Sequence, residues 1–253
     1  ADPCLYRLDD GDHHMVMAVV VDDICCYSTS DHLRSRVFDQ LKTRFDLKVI
    51  GLCEWFLGSR IQHNYVGSFM DQRSYLLNLI KQYNEYGLKK CDTPSIPSQI
   101  LKPPEADETP TKFPYAKLVG SLIWLVKSRP DIAYAVSQCS RYQSSHTDVH
   151  DRAALRVLGY LWKFPDFGLA FRKLDGWEDG DPIEVTGYVD SSWADDPITR
   201  RSSYGYCIFI NGCLVSFKSR LTPNVAHSSC EAEYVAISEA GKEVIYLIKL
   251  LES

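Results

Sequence analysis

The sequence predicts an α+β chain of more than one packed unit, and three observations carry that expectation. Its 253 residues exceed one ordinary domain. Runs with strand character at both ends bracket a middle section with helical spacing. A stretch from Cys91 to Lys112 holds Pro94, Pro97, Pro103, Pro104 and Pro110 and reads as an extended linker.

The elements follow in order. Leu5–Arg7 and Met15–Val21 flank the turn-rich Asp9-Asp10-Gly11-Asp12, which suggests a hairpin. Ile24–Tyr27 continues as a strand beyond Asp22-Asp23. From Ser30-Asp31, Leu33, Val37, Leu41 and Phe45 form one helical stripe. Trp55–Gln62 and Ser68–Met70 read as a second hairpin around Gly67. Leu76, Leu79, Ile80 and Tyr83 mark a helix that Gly87 can cap. After the linker, three helices are expected. The first runs over Phe113–Lys127, the second opens at Pro130 and the third is capped by Thr147, with Pro165 as its stop. Glu184–Asp190, Ser203–Ile210 and Cys213–Lys218 are strand-like, and Asn211-Gly212 fits a two-residue hairpin turn. A final helix starts at Ser228, with Glu233 extending the stripe Ile237, Ala240, Val244, Leu247 and Leu251.

Composition excludes several classes. Hydrophobic residues make up 45% and charged residues 24%, a globular balance rather than a disordered or fibrous one. A net charge of −5 excludes a generally basic coat for nucleic acid, so any grip on phosphate must come from local patches. The longest apolar run, Met15–Val21, is far short of the roughly 20 residues a membrane span needs. No signal-peptide pattern is present. The nine cysteines form no CxxC pair and point to a reducing compartment. His146 and His150 have i, i+4 spacing, but no further ligand pair closes a tetrahedral zinc site, and a solvated helix start is expected there.

Two acidic constellations remain. Asp22-Asp23 interrupts an apolar run. Locally this fits either a hairpin tip exposed to water or a divalent-metal site on a strand–turn–strand scaffold. Asp190 ends a strand in Thr186-Gly187-Tyr188-Val189-Asp190-Ser191. Ser228 and Glu231 have capping-box spacing, which gives Glu231 a structural role. Glu233 falls on the expected buried face, where a carboxylate needs a cation or hydrogen bonds.

Val20-Val21-Asp22-Asp23 with Ile24 resembles the Tyr-Val-Asp-Asp turn of reverse transcriptases. Its flanks, Asp2-Pro3-Cys4-Leu5-Tyr6 and Trp55-Phe56-Leu57-Gly58, are similar to the copia-type long-terminal-repeat retrotransposon branch. Leu118-Val119-Gly120-Ser121-Leu122 and Ser128-Arg129-Pro130-Asp131-Ile132-Ala133 resemble the thumb and connecting region of that family. Val189-Asp190-Ser191-Ser192-Trp193-Ala194, Arg200-Arg201-Ser202, Gly205-Tyr206 and Ser228-Ser229-Cys230-Glu231-Ala232-Glu233-Tyr234 resemble its RNase H part.

The resemblance implies a palm remnant over residues 1–70, helical thumb and connection over 71–180, and the start of an RNase H-like unit over 181–253. It implies RNA-directed DNA synthesis with RNase H cleavage, dependent on Mg²⁺ or Mn²⁺. Asp22, Asp23, Asp190 and Glu233 would be catalytic and metal-ligating, and Arg200 and Arg201 would contact nucleic acid. The implied partners are template-primer, RNA–DNA hybrid and further Pol segments on both sides, without a membrane. The implied setting is the cytoplasm or a virus-like particle. Val20 stands where the family usually has tyrosine. The family's first polymerase aspartate is expected upstream of Ala1, and two RNase H aspartates beyond Glu233, so the chain alone is expected to be inactive. The alternative is a decayed, non-catalytic remnant that binds nucleic acid weakly. Lys81, Lys89 and Lys90 read as solvated charges.

Overall fold

The computed structural model describes residues 2–97, 99–105, 107–109, 111–174, 176 and 181–252. Among them are three antiparallel sheets and six α-helices, so the chain is α+β. It forms two compact units, Ala1–Ile61 with Ile245–Ser253, and Gln62–Val244. The boundary expected at residue 180 lies outside the described residues.

In the first unit, Leu5–Asp10 (β1), His13–Val20 (β2) and Asp23–Ser28 (β3) form a meander in the order β1-β2-β3. Gly11, at φ 60°, allows the first reversal. Helix Asp31–Lys42 (α1) is capped by the Ser30 hydroxyl, which accepts from the Leu33 N–H at 3.3 Å. Its Leu33 and Val37 are buried with Met15 of β2, and Met17, Cys26, Phe38 and Leu41 pack against them. The expected stripe does not extend to Phe45, which is exposed. The Thr43 N–H and hydroxyl both donate to the Gln40 carbonyl and close the last turn there. Trp55–Phe56 (β4) pairs with the start of Ser59–Asn64 (β5) through a Leu57-Gly58 turn, both residues at positive φ.

In the second unit, Gly67–Asp71 (β6) pairs with Leu169–Arg172 (β7), from Gly67↔Arg172 to Met70↔Leu169. Strand β7 was not expected, because its four residues carry no usable periodicity. At Gly67, φ 149°, a Cβ would lie 2.1 Å from the Phe171 carbonyl oxygen, so only glycine admits this pairing.

The core of this unit is helical. It is built from Arg73–Tyr83 (α2), Tyr115–Val126 (α3), Ala133–Ser140 (α4) and Asp148–Lys163 (α5). The expected stripes are its interior, with Leu76, Leu79, Leu118, Leu122, Leu125, Val136, Leu158 and Leu161 all buried. Pro130 opens a 3₁₀ turn ahead of α4, as expected of a residue without an N–H to offer.

The linker is strapped across these helices. The Cys91 N–H donates to the Gly159 carbonyl at 3.2 Å, and the Tyr142 hydroxyl to the Leu101 carbonyl at 2.7 Å. His146 and His150 belong to the same strap, which corrects the expectation of a solvated helix start. The Thr147 N–H donates to His150 Nδ1, so Nε2 carries the proton and reaches the Lys102 carbonyl at 2.9 Å. His146 stacks on Tyr115 at 4.7 Å and bonds Asp151 at 2.9 Å, and Thr111 donates to the other Asp151 oxygen. Tertiary packing encloses both rings, which local spacing does not reveal.

Val185–Ser192 (β8), Ser203–Ile210 (β9) and Cys213–Leu221 (β10) form the third sheet, in the order β10-β9-β8. Asn211 and Gly212, both at positive φ, make the expected hairpin turn. The last helix is Ser229–Leu251 (α6).

Candidate functional site

Asp22 and Asp23 stand at the tip of the β2–β3 hairpin. Pairing ends at Val20↔Asp23, which leaves Val21-Asp22 as the turn. Val21 is 92% exposed and sits at φ 53°, a left-handed conformation that a β-branched residue rarely adopts. Both aspartates are exposed, and neither carboxylate makes a hydrogen bond or ion pair among the described residues. Two hard oxygen donors therefore project into solvent from a strand–turn–strand scaffold. That donor set suits Mg²⁺, which is held by one or two carboxylates together with substrate phosphates.

Three thiols lie close to this tip. Burial pushes the Cys53 thiol up to about 11, with the Cys25 thiol and the Asp23 charge adding to the effect. Burial also raises Cys26.

Asp190 lies near the end of β8, opposite Gly205 of β9. It lines a cleft of about 440 Å³ with Tyr188, Ser191, Tyr134, Asp131 and Lys218. Asp131 is committed, since its two oxygens accept from Arg129 at 3.0 and 2.7 Å and from the Tyr160 hydroxyl at 2.8 Å. The Asp190 carboxylate makes no hydrogen bond or ion pair among the described residues.

Helix α6 enters as a capped helix. The Ser228 hydroxyl accepts from the Glu231 N–H at 3.1 Å, and the Glu231 carboxylate accepts from the His227 N–H at 2.7 Å. Its inward face differs from the expected stripe. Ala232 and Ala236 are fully buried, whereas Ile237 is 55% exposed; Leu247 of the expected stripe is buried. Glu243 accepts from the Ser216 hydroxyl at 2.8 Å. Burial, then the nearby Glu239 charge, raises the Tyr204 hydroxyl, and burial with Glu243 does the same for Tyr206. The sheet presents hydroxyls that need acceptors, so the helix turns carboxylates and small alanines toward them and leaves its isoleucine outside.

Glu233 is half-buried on the flank of that face. Strand alternation places Tyr204 and Tyr206 on the side of Ser191 and Val189, whereas Asp190 takes the other side with Tyr188 and Cys207. No hydrogen bond links Asp190 to Glu233. Among the described residues, no group of three or more His, Cys, Asp or Glu side chains converges as a metal site. Each acidic constellation therefore supplies at most two carboxylates.

Arg200 and Arg201 lie in the loop between β8 and β9. Arg201 is a loop tie, donating to the Thr199 hydroxyl at 3.0 Å and the Thr222 carbonyl at 3.5 Å. Arg200 is exposed, at φ 57°. The same loop holds a feature that sequence reasoning missed. Asp195 accepts from the Ser203 N–H and hydroxyl, both at 2.7 Å, and the buried Asp196 accepts from Arg141 at 2.9 Å. The adjacent pair Asp195-Asp196 was the available signal.

Comparison with known proteins places these motifs among relatives. The chain is 32% identical over 251 residues to the retrovirus-related Pol polyprotein from transposon RE2 of Arabidopsis thaliana, matching 99% of this chain and 17% of that protein. It is 31% identical over 262 residues to the Pol polyprotein from transposon TNT 1-94 of Nicotiana tabacum, covering the whole of this chain and 19% of that one. It is also 28% identical over 232 residues to the uncharacterized mitochondrial protein AtMg00810 of Arabidopsis thaliana, covering 92% of this chain and 94% of that protein. The chain thus spans less than a fifth of each of these two polyproteins. No family model matches the sequence. No solved structure matches it either.

Proposed function

Because the chain belongs to the retrovirus-related Pol polyproteins of copia-type transposons, we propose that it is the segment of such a polyprotein that joins reverse transcription to RNase H cleavage. The observation that carries this reading is the β2–β3 tip, where two unpartnered carboxylates are held in solvent within a motif that resembles the family's polymerase turn. In this reading Asp22 and Asp23 contribute two carboxylates to the polymerase centre, and neighbouring Pol segments contribute the rest. Asp190 and Glu233 are assigned the corresponding part for RNase H by the family motif alone, since Asp190 points away from the sheet face on which α6 packs, and Arg200 meets a phosphate of the RNA–DNA hybrid or template-primer. When bound, Mg²⁺ or Mn²⁺ would offset the carboxylate repulsion and activate the attacking oxygen.

The test is to express the chain within its flanking Pol segments and assay primer extension and hybrid cleavage. Asp22→Asn is expected to abolish extension and spare cleavage, and Asp190→Asn to do the reverse. Loss of neither activity in either variant would sink the assignment. The 253-residue chain alone is expected to show neither activity.

A second reading, a non-catalytic remnant, is favoured by Val20 at the position of the family's tyrosine and by a short relative, AtMg00810, that this chain covers almost completely. A longer polyprotein that remains inactive with intact carboxylates would support it.

A further inference from the structure

His150 fastens the strap between α2 and α3 to the start of α5, within the second unit. It stands at the third residue of that helix and is 2% exposed. A helix start of this kind usually carries Glu or Gln there, with a side-chain oxygen that accepts the N-cap N–H. Here an imidazole takes that place. The Thr147 N–H donates to Nδ1 at 3.1 Å, and the proton on Nε2 is donated to the Lys102 carbonyl at 2.9 Å. A neutral ring satisfies both partners at once, and a cationic ring does not.

A second proton must sit on Nδ1, where it faces the Thr147 N–H donor to donor. The Thr147 hydroxyl also lies 3.1 Å from Nδ1, but it already accepts from the His150 N–H. The free N–H groups of the helix start add positive potential at the same place. Nearby charge is committed elsewhere. Asp148 pairs with Arg152 at 2.9 Å, and Asp151 is held by His146 at 2.9 Å and by the Thr111 hydroxyl. From α3 and from the loop after α4 the ring meets the phenol rings of Tyr115 and Tyr142. From the strap it meets the Lys102 carbonyl. Among the described residues no carboxylate bonds it. His146 has the opposite sign, because its Nδ1 already donates to Asp151 and a proton on its other nitrogen strengthens that pair.

We propose that His150 is an acid-sensitive latch. Neutral, it holds Lys102 against α5. Protonated, it releases the strap and the first turn of the helix together. Ile96, Gln99 and Leu101 of the strap line a cavity of about 670 Å³ whose other walls include Cys139 of α4 and Leu155 of α5, so release opens that cavity to water. The latch uses none of Asp22, Asp23, Asp190 or Glu233 and stands independently of the polymerase and RNase H reading.

Hydrogen–deuterium exchange on the 253-residue chain at about pH 7.5 and about pH 5 brackets the ordinary imidazole range and tests the proposal. After correction for the intrinsic pH dependence of exchange, the Thr147 amide and residues 99–105 are expected to exchange about tenfold faster in acid. The buried amides of α3 should keep their protection. His150→Gln restores the usual capping residue without a titrating group, and should abolish the acceleration. His146→Gln should retain it. Nuclear magnetic resonance of the His150 ring in the wild-type chain gives a reading that needs no variant, since its titration should coincide with the change in exchange. Unchanged exchange in acid would overturn the proposal. So would acceleration that persists in His150→Gln, loss of α3 protection over the same pH range, or a ring titration that does not track the exchange.

Discussion

Arg141 donates to Asp196 at 2.9 Å with both side chains nearly buried, and this bond ties the end of α4 to the loop that follows Asp190. Thr199 completes the carboxylate's shell through its N–H, at 2.7 Å, and its hydroxyl. Burial acts to raise the Asp196 pKa, but the Thr199 bonds and the Arg141 charge outweigh it and hold the carboxyl below its usual 3.8.

Breaking this pair from one side should be costly. Arg141→Met leaves a buried carboxylate without its cation and should lose about 3–5 kcal/mol at neutral pH. The sign with pH follows from the lowered pKa. The pair's contribution is complete above 3.8 and is lost as pH falls through the lower folded-state value. Urea midpoints of wild type and variant should therefore differ widely at about pH 7 and converge in acid, below the usual carboxylate range. A constant gap at every pH would refute the account.

Val21 at the acidic tip carries backbone strain. Its left-handed φ of 53° costs an L-residue roughly 1–2 kcal/mol, and its side chain makes no compensating burial. Val21→Gly should raise stability by about 1 kcal/mol, read as a higher urea midpoint with unchanged slope.

Two glycines on helices should respond in opposite directions. At Gly159 of α5 a Cβ would lie 2.1 Å from the Lys89 carbonyl oxygen, where the linker crosses the helix. Gly159→Ala should cost at least about 2 kcal/mol. Gly120 of α3 is exposed with open space around it, so Gly120→Ala should gain about 0.5–1 kcal/mol. Thermal melts of both variants provide the comparison.

Cys53 should be slow to react. With its pKa pushed up to about 11, first by burial and then by Cys25, little thiolate exists at mildly alkaline pH. Iodoacetamide followed by peptide mapping should label the exposed Cys4 and Cys230 well before Cys53. Cys25→Ala should speed labelling of Cys53.

Much of the architecture was legible from short-range pattern. The Asn211-Gly212 turn, the Pro130 helix start and the buried stripes of α2 to α5 follow from backbone preferences and from apolar spacing over one or two turns. The acidic tip was legible too, because Asp22-Asp23 breaks an apolar run at the point where the strands reverse. Helix α6 was misread for an instructive reason. Its apolar residues suggested one buried face, but the sheet presents tyrosine hydroxyls, and Glu239 and Glu243 turn toward them while Ile237 faces water.

The sequence by itself determined the order of the helices and of every strand but β7, several turns, and the motifs that carry the family resemblance, since each depends on residues within a few positions of one another. Only the tertiary structure decided that Gly67 pairs with Arg172, that Arg141 meets Asp196, that His150 is committed to Lys102, and that the Gln138 carboxamide is buried without a partner among the described residues. Those outcomes depend on desolvation and on which donors and acceptors distant parts of the chain bring together, and neither is encoded in local spacing.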